Sequence, residues 1–130
     1  MFRIRGRLLV DSDVIINYLR QTSDTVQLID TLHANGRRFA CSTITVLEVL
    51  RGMRKHEQTV TVKLLDSMHH YPVTDAVVQT AWKLFRKRRV HGTTLPFLDS
   101  IIAATALTEK LSLLTYNSKD YPPDILYEAS

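Results

Sequence analysis

Cysteine, glycine, proline and long hydrophobic runs are all scarce in this chain of 130 residues. The single cysteine, Cys41, excludes an internal disulfide and a zinc site built from several cysteines. No apolar run approaches the roughly 18 residues that a membrane-spanning helix needs, and no signal-peptide core opens the sequence. Low-complexity segments, internal repeats and linkers are also missing. We therefore expect a single domain over residues 1–130, in the cytoplasm and without membrane association.

The composition is that of an ordinary globular protein, with 45% hydrophobic and 23% charged residues. A net charge of +4 permits an anionic partner. Basic residues form two groups, Arg51, Arg54, Lys55 and His56, then Lys83, Arg86, Lys87, Arg88, Arg89 and His91. Such groups either bind phosphate backbones through counterion release or form solvated helix faces, and both interpretations remain open.

Apolar periodicity predicts strands alternating with helices along the whole chain. The predicted strands cover residues 3–10, 37–41, 70–73, 111–115 and a final edge strand at 125–127. The predicted helices cover residues 14–20, 23–35, 43–51, 57–68, 76–89 and 97–110. This alternation indicates a mostly parallel sheet with helices on both faces.

Two aspartates follow the first predicted strand. The apolar run of residues 8–10 ends at Asp11, where a buried strand delivers a carboxylate to its C-terminal tip. In open α/β sheets, ligands bind in the crevice outside the carboxyl ends of the strands. Asp13 is expected to be the N-cap of the helix that follows.

Three later places also put acids or amides at the ends of apolar elements: Glu48, Asp99 and the pair Asn117 and Asp120. Each has a purely structural alternative. In these alternatives, Glu48 forms a capping box with Thr45, and Asp99 complements a helix dipole. Asn117 and Asp120 are then turn residues.

Taken together, these side chains point to one site. The carboxyl ends of parallel strands share an edge, and several carboxylates there would repel one another unless a cation neutralised them. Oxygen ligands without thiolates favour Mg²⁺ or Mn²⁺ over zinc. Such ions activate water and stabilise the leaving oxygen in phosphodiester hydrolysis, and a basic chain suits a nucleic-acid substrate.

Four motifs, in this order, resemble the PIN-domain family and within it the VapC-type toxins. They are LVDSDVII at 9–16, STITVLEVLRG at 42–52, LDSIIAATA at 98–106 and LLTYNSKDY at 113–121. The resemblance covers nearly the full chain. It implies a three-layer α/β/α sandwich with a mostly parallel central sheet, formed by a single PIN-like domain.

The resemblance also implies a function. The chain would be a Mg²⁺- or Mn²⁺-dependent endoribonuclease, the toxin of a type II toxin–antitoxin pair, with RNA as substrate and a small antitoxin protein as partner. It implies a homodimer as well, for which the helices at 23–35 and 57–68 are interface candidates.

Carried over position by position, Asp11, Glu48 and Asp99 match the family's three acidic metal ligands. Thr115 matches a hydroxyl residue common beside the site.

The fourth acid of the family is ambiguous here. Asn117 stands where relatives often have Asp, so Asp120, in a Lys-Asp-Tyr segment similar to the family's frequent Lys-Asp-Phe, is the other candidate. This ambiguity leaves open whether the site binds one metal ion or two. Asp13 stands where relatives often carry Asn, which adds a ligand or water-orienting role to its capping role.

Two other functions fit parts of the sequence. In a haloacid-dehalogenase-like phosphatase, Asp11 would be the nucleophile and Asp13 the acid/base, but Lys110 and Lys119 are poorly placed for the lysine that such enzymes need. A non-catalytic PIN-like nucleic-acid-binding module is the second alternative, and three intact acids argue against it.

Overall fold

The computed structural model describes residues 6–90 and 96–128, in which short strands alternate with helices. The strands are β1 (Leu8–Val10), β2 (Phe39–Ser42), β3 (His69–Tyr71) and β4 (Ser112–Leu114). The helices are α1 (Ser12–Leu19), α2 (Ser23–Ala34), α3 (Thr43–Gly52), α4 (Gln58–Asp66), α5 (Asp75–Val90) and α6 (Phe97–Glu109). Short 3₁₀ helices occur at Lys55–Glu57, Ser118–Asp120 and Pro123–Ile125.

The four strands form one parallel sheet in the order β3-β2-β1-β4. In the centre, Leu9 pairs with Ala40 of β2 on one side and with Leu113 of β4 on the other. Because all four strands run the same way, their carboxyl ends lie along one edge of the sheet. The predicted parallel sheet is confirmed.

The central strand β1 packs against helices on both of its faces. Leu8 and Val10 belong to a core that includes Val14, Ile15 and Leu32 of α1 and α2. Leu9 points to the opposite core, with Ile102, Ala103 and Ala106 of α6. Full burial of each leucine contributes roughly 1.5–3 kcal/mol, so this short strand anchors both cores. The predicted α/β/α sandwich is confirmed.

The two helices predicted as dimer-interface candidates differ in what they expose. The apolar residues of α2 that face inward, Leu28, Ile29 and Leu32, pack into the core. In α4, Leu65 is buried while Val60 is 63% exposed. The homodimer stays a prediction.

The end of the chain differs from the predicted edge strand at 125–127. A 3₁₀ helix occupies Pro123–Ile125, and only one parallel bridge, between Leu113 and Leu126, extends the sheet there. Proline at two successive positions, 122 and 123, disfavours a regular strand. Residues 3–5 of the first predicted strand and the loop at 91–95 lie outside the described residues. None of the described helices is long and apolar enough to cross a membrane.

Candidate active site at the carboxyl edge of the sheet

Asp11 lies directly after β1 and is the N-cap residue of α1. The residue is only 6% exposed. Oδ1 accepts a hydrogen bond from the Ser12 amide at 2.8 Å, and Oδ2 accepts one from the Thr115 hydroxyl and one from the Tyr121 hydroxyl, both at 2.9 Å. A carboxylate has about four acceptor positions, so one remains, on Oδ1.

Asp13 is not the N-cap that the sequence predicts, because α1 begins at Ser12, two residues earlier than expected, and Asp11 is its N-cap. It lies in the first turn, where Oδ1 accepts from the Val14 amide at 2.7 Å and Oδ2 from the Tyr116 amide at 3.1 Å. Burial and the charge of Asp11 raise its pKa. Asp13 therefore connects α1 to the loop after β4, on the border of the site.

Glu48 lies in the second turn of α3 and faces the site from there. Ser42 is the N-cap of this helix, and its hydroxyl oxygen accepts from the Ile44 amide at 3.2 Å. The third helical position is consequently Thr45, whereas a capping box needs its Glu at that position. The capping-box interpretation of Glu48 is therefore wrong.

Charge connects Glu48 to the other acids. Burial, followed by the charges of Asp11 and Asp99, raises the pKa of Glu48, while Arg51, one turn further along α3, lowers it. Arg51 itself is exposed. Three carboxylates from three separate parts of the sequence thus affect one another electrostatically.

Asp99 lies in the first turn of α6, as the sequence predicts. Its position suits a role in complementing the helix dipole. Even so, burial and the charge of Asp11 raise its pKa, while a hydrogen bond from the Tyr121 hydroxyl lowers it. Asp99 is therefore part of the acidic cluster as well as a residue at a helix N-terminus.

The loop after β4 brings Asn117 and Asp120 together. The Asn117 amide nitrogen of the backbone donates to the Thr115 hydroxyl oxygen at 3.0 Å. Its side-chain Nδ2 donates to Asp120 Oδ2 at 2.6 Å. The charge of Asp120 also raises the pKa of Asp99. The two candidates for the fourth acid are therefore hydrogen-bonded to each other.

The acids fit a hard divalent cation by the chemistry of their donors. The donors are carboxylate oxygens. Burial, followed by repulsion from the charge of Asp11, raises the pKa values of Glu48 and Asp99, and a cation would relieve this repulsion. Within residues 6–90 and 96–128, however, no three His, Cys, Asp or Glu side chains already form a metal-binding cluster. The acids interact through charge without a preformed coordination sphere.

Among the basic residues that the structure describes, Arg51 acts electrostatically on Glu48 of this cluster. Lys83, Arg86 and Lys87 are exposed on α5. The side chains of Arg88 and Arg89, and His91, lie outside the described residues. A cavity of about 450 Å³ lies against α1, α2 and α4, and none of the predicted site residues lines it.

Tyr121 is the residue at this site that the sequence prediction missed. It is 2% exposed, its hydroxyl donates to Asp11, and it also interacts with Asp99. The available signal was the tyrosine in the Lys-Asp-Tyr segment where the family frequently has phenylalanine. A buried tyrosine hydroxyl normally finds a hydrogen-bond acceptor, and the nearest acids were already candidates.

Comparison with known proteins identifies the class to which this fold and site belong. The PIN domain family model matches residues 8–121, a stretch that contains every predicted site residue. The chain belongs to the PIN domain family.

Individual relatives narrow the comparison. Ribonuclease VapC10 of Mycobacterium tuberculosis is 31% identical over 115 residues, which cover 88% of this chain and 86% of the relative. Ribonuclease VapC19 of the same species is 28% identical over 119 residues, covering 90% and 95% of the two chains. The resemblance predicted from the motifs is confirmed, and neither the phosphatase nor the non-catalytic alternative is favoured.

Solved structures show the same fold. A chain of a toxin–antitoxin complex from Klebsiella pneumoniae superimposes with a TM-score of 0.74 at 27% identity, covering 87% of this chain and 88% of that one. A chain of VapBC2 from Rickettsia felis, in a complex with a DNA fragment from the VapBC2 promoter, gives a TM-score of 0.81 at 18% identity. The match covers 95% of this chain and 98% of that one.

Proposed function

We propose that this chain is a metal-dependent endoribonuclease that acts as the toxin of a type II toxin–antitoxin pair. The observation that supports this most strongly is the convergence of Asp11, Glu48 and Asp99. They come from three separate segments, and burial together with the charge of Asp11 raises the pKa values of Glu48 and Asp99. Like charges placed together at such an energetic cost are typical of functional sites.

Asp11, Glu48 and Asp99 would hold Mg²⁺ or Mn²⁺. An ion bound there would supply an acidified water and positive charge for phosphodiester hydrolysis. The Thr115 hydroxyl orients Asp11 by donating to Oδ2. Asp13 holds the loop after β4 through the Tyr116 amide.

Asn117 and Asp120 have a supporting role in this proposal. Their hydrogen bond fixes the loop that borders the acids, and Asp120 adds negative charge near Asp99. This charge would strengthen cation binding at Asp99 without requiring Asn117 to act as an acid. Whether one or two ions bind follows from a titration of metal stoichiometry.

The proposed partners are an RNA substrate and a small cognate antitoxin protein in the cytoplasm. Two curated relatives are named ribonucleases, and one solved neighbour is a toxin–antitoxin complex. The exposed basic residues of α5, Lys83, Arg86 and Lys87, provide the positive charge that attracts a phosphate backbone.

The test is an RNA cleavage assay with the purified chain. We expect cleavage with Mg²⁺ or Mn²⁺ and none with EDTA. Asp11→Asn should abolish cleavage with an unchanged circular dichroism spectrum, since the substitution keeps the shape of the side chain but removes its charge.

The matched control is Asp66→Asn, the same substitution at an exposed aspartate at the end of α4. It should cleave like the wild type. Equal cleavage by Asp11→Asn and the wild type, after identical purification, would contradict the proposal.

A further inference from the structure

The Tyr121 side chain joins the hydrophobic core to the acidic site. Its ring packs with Leu9, Ile102 and Leu113, in the core between β1, β4 and α6. Its hydroxyl donates to Asp11 Oδ2 at 2.9 Å and also interacts with the Asp99 carboxylate.

The phenol is fixed in position and stays a donor. The hydroxyl oxygen lies on the axis of the ring, so a ring flip inside the core leaves the oxygen where it is. Burial and the charges of Asp11 and Asp99 raise the pKa of Tyr121, and the phenol therefore remains protonated.

The hydrogen bonds to Asp11 orient its carboxylate. Oδ2 accepts from two side chains, Tyr121 and Thr115, whereas Oδ1 accepts only from the Ser12 amide. Oδ2 is thereby saturated, and Oδ1 is the oxygen with an acceptor position left for a ligand. Hydrogen bonds to ligating carboxylates generally orient them and tune metal affinity.

We propose that Tyr121 is a positioning residue, which holds Asp11 and Asp99 in the arrangement that binds a divalent cation and directs Oδ1 of Asp11 to that cation. The inference rests on the proposed function. It adds a neutral hydroxyl from the hydrophobic core to a site otherwise described by its acids.

The test compares the wild type with Tyr121→Phe, which removes only the hydroxyl. Binding of Mn²⁺ is measured by the electron paramagnetic resonance signal of the free ion, which needs no RNA. We expect Tyr121→Phe to weaken Mn²⁺ binding about tenfold or more, the typical cost of losing a partner of a metal ligand.

Tyr71→Phe is the matched control. Its hydroxyl accepts a hydrogen bond from Arg7 Nη1 at 3.4 Å, and its ring packs against the same core. We expect this variant to bind Mn²⁺ like the wild type. A structural effect of losing any partly buried tyrosine hydroxyl would instead weaken binding in both variants, and that result would overturn the inference.

The outcomes separate the inference from the proposed function. Equal or tighter Mn²⁺ binding by Tyr121→Phe overturns the positioning role alone. A wild type that neither binds Mn²⁺ nor cleaves RNA overturns both.

A second measurement serves if Tyr121→Phe does not fold. The five tyrosines are replaced by 3-fluorotyrosine, and fluorine resonances are assigned by substituting the other four tyrosines one at a time. We expect Mg²⁺ to shift the Tyr121 resonance but not that of Tyr71. An unchanged Tyr121 resonance at saturating Mg²⁺ overturns the inference.

Discussion

The two edges of the central sheet have opposite charge. Just past the carboxyl end of β1 is Asp11, near Glu48 and Asp99. Just before the amino ends of β1 and β2 are Arg7 and Arg38, with Arg37 beside them, and these arginines line the 450 Å³ cavity.

The two edges also differ in how their charges are stabilised. The guanidinium of Arg37 lies 5.6 Å from the centre of the Tyr127 ring, a cation–π contact. The acids are held by hydroxyl and amide donors, yet the pKa values of Glu48 and Asp99 remain raised. The carboxyl edge thus keeps like charges together at an energetic cost, which is typical of functional sites.

The largest expected effect that tests this difference is stabilisation by Mg²⁺. An ion at one hundred times its dissociation constant stabilises the folded state by about 2.7 kcal/mol. For a domain of this size, that shifts the melting temperature by roughly 10 °C. Thermal melts of the wild type in EDTA and in Mg²⁺ measure the shift.

Asp11→Asn should remove most of this Mg²⁺ shift, while Asp66→Asn, near the amino end of β3, should keep it. If Mg²⁺ raises the melting temperature of Asp11→Asn as much as that of the wild type, the ion binds elsewhere. The inference that the carboxyl edge binds the cation is then wrong.

A smaller effect is expected from pH in the absence of metal. The raised pKa of Glu48 means that the folded state retains a proton that the unfolded chain has already released. Its contribution to stability is therefore full below the ordinary value of 4.5 and is lost as the pH rises from there through the raised pKa. Asp99 acts in the same direction from its ordinary value of 3.8.

Glu48→Gln removes the titrating group. In EDTA, the free energy of unfolding of this variant, relative to that of the wild type, should therefore increase as the pH rises. Urea unfolding at several pH values measures this difference. The control is Glu109→Gln, at the exposed end of α6. If the free energies of unfolding of the wild type and of Glu48→Gln change equally with pH, the pKa of Glu48 does not contribute to the pH dependence of stability.

The smallest effect on activity is expected at the edge of the sheet formed by the amino ends of the strands, called here the amino edge. Arg38→Ala removes one exposed positive charge, on the edge away from the acids. We expect RNA cleavage at physiological salt to change less than about twofold, because long-range attraction by one exposed charge is largely screened. A tenfold loss in the cleavage assay would show that the amino edge binds the substrate.

Local sequence patterns were enough to predict most of the fold. An apolar run of three residues ending in an acid marks β1 and Asp11, and helical periodicity marks α6 with Asp99 in its first turn. These patterns depend on residues close together in the chain. Parallel topology then follows from the alternation of strands and helices, which also predicts that strand-end acids share an edge.

The exact ends of elements were less predictable. Asp11 and Asp13 both have the chemistry of an N-cap, and only the observed start of α1 at Ser12 assigns the cap to Asp11. The same holds for Glu48, whose capping role with Thr45 depended on where α3 begins.

Local sequence patterns are sufficient to predict the order of elements up to β4, the family and the candidate acids. How those acids are held depends on contacts between distant segments. Asp11 accepts from Thr115, 104 residues away, and from Tyr121, 110 residues away. Asn117 and Asp120, the two candidates for the fourth acid, are hydrogen-bonded to each other. Periodicity and capping report on near neighbours in the chain, whereas hydrogen bonds between β1 and the loop after β4 exist only once the sheet brings distant segments together.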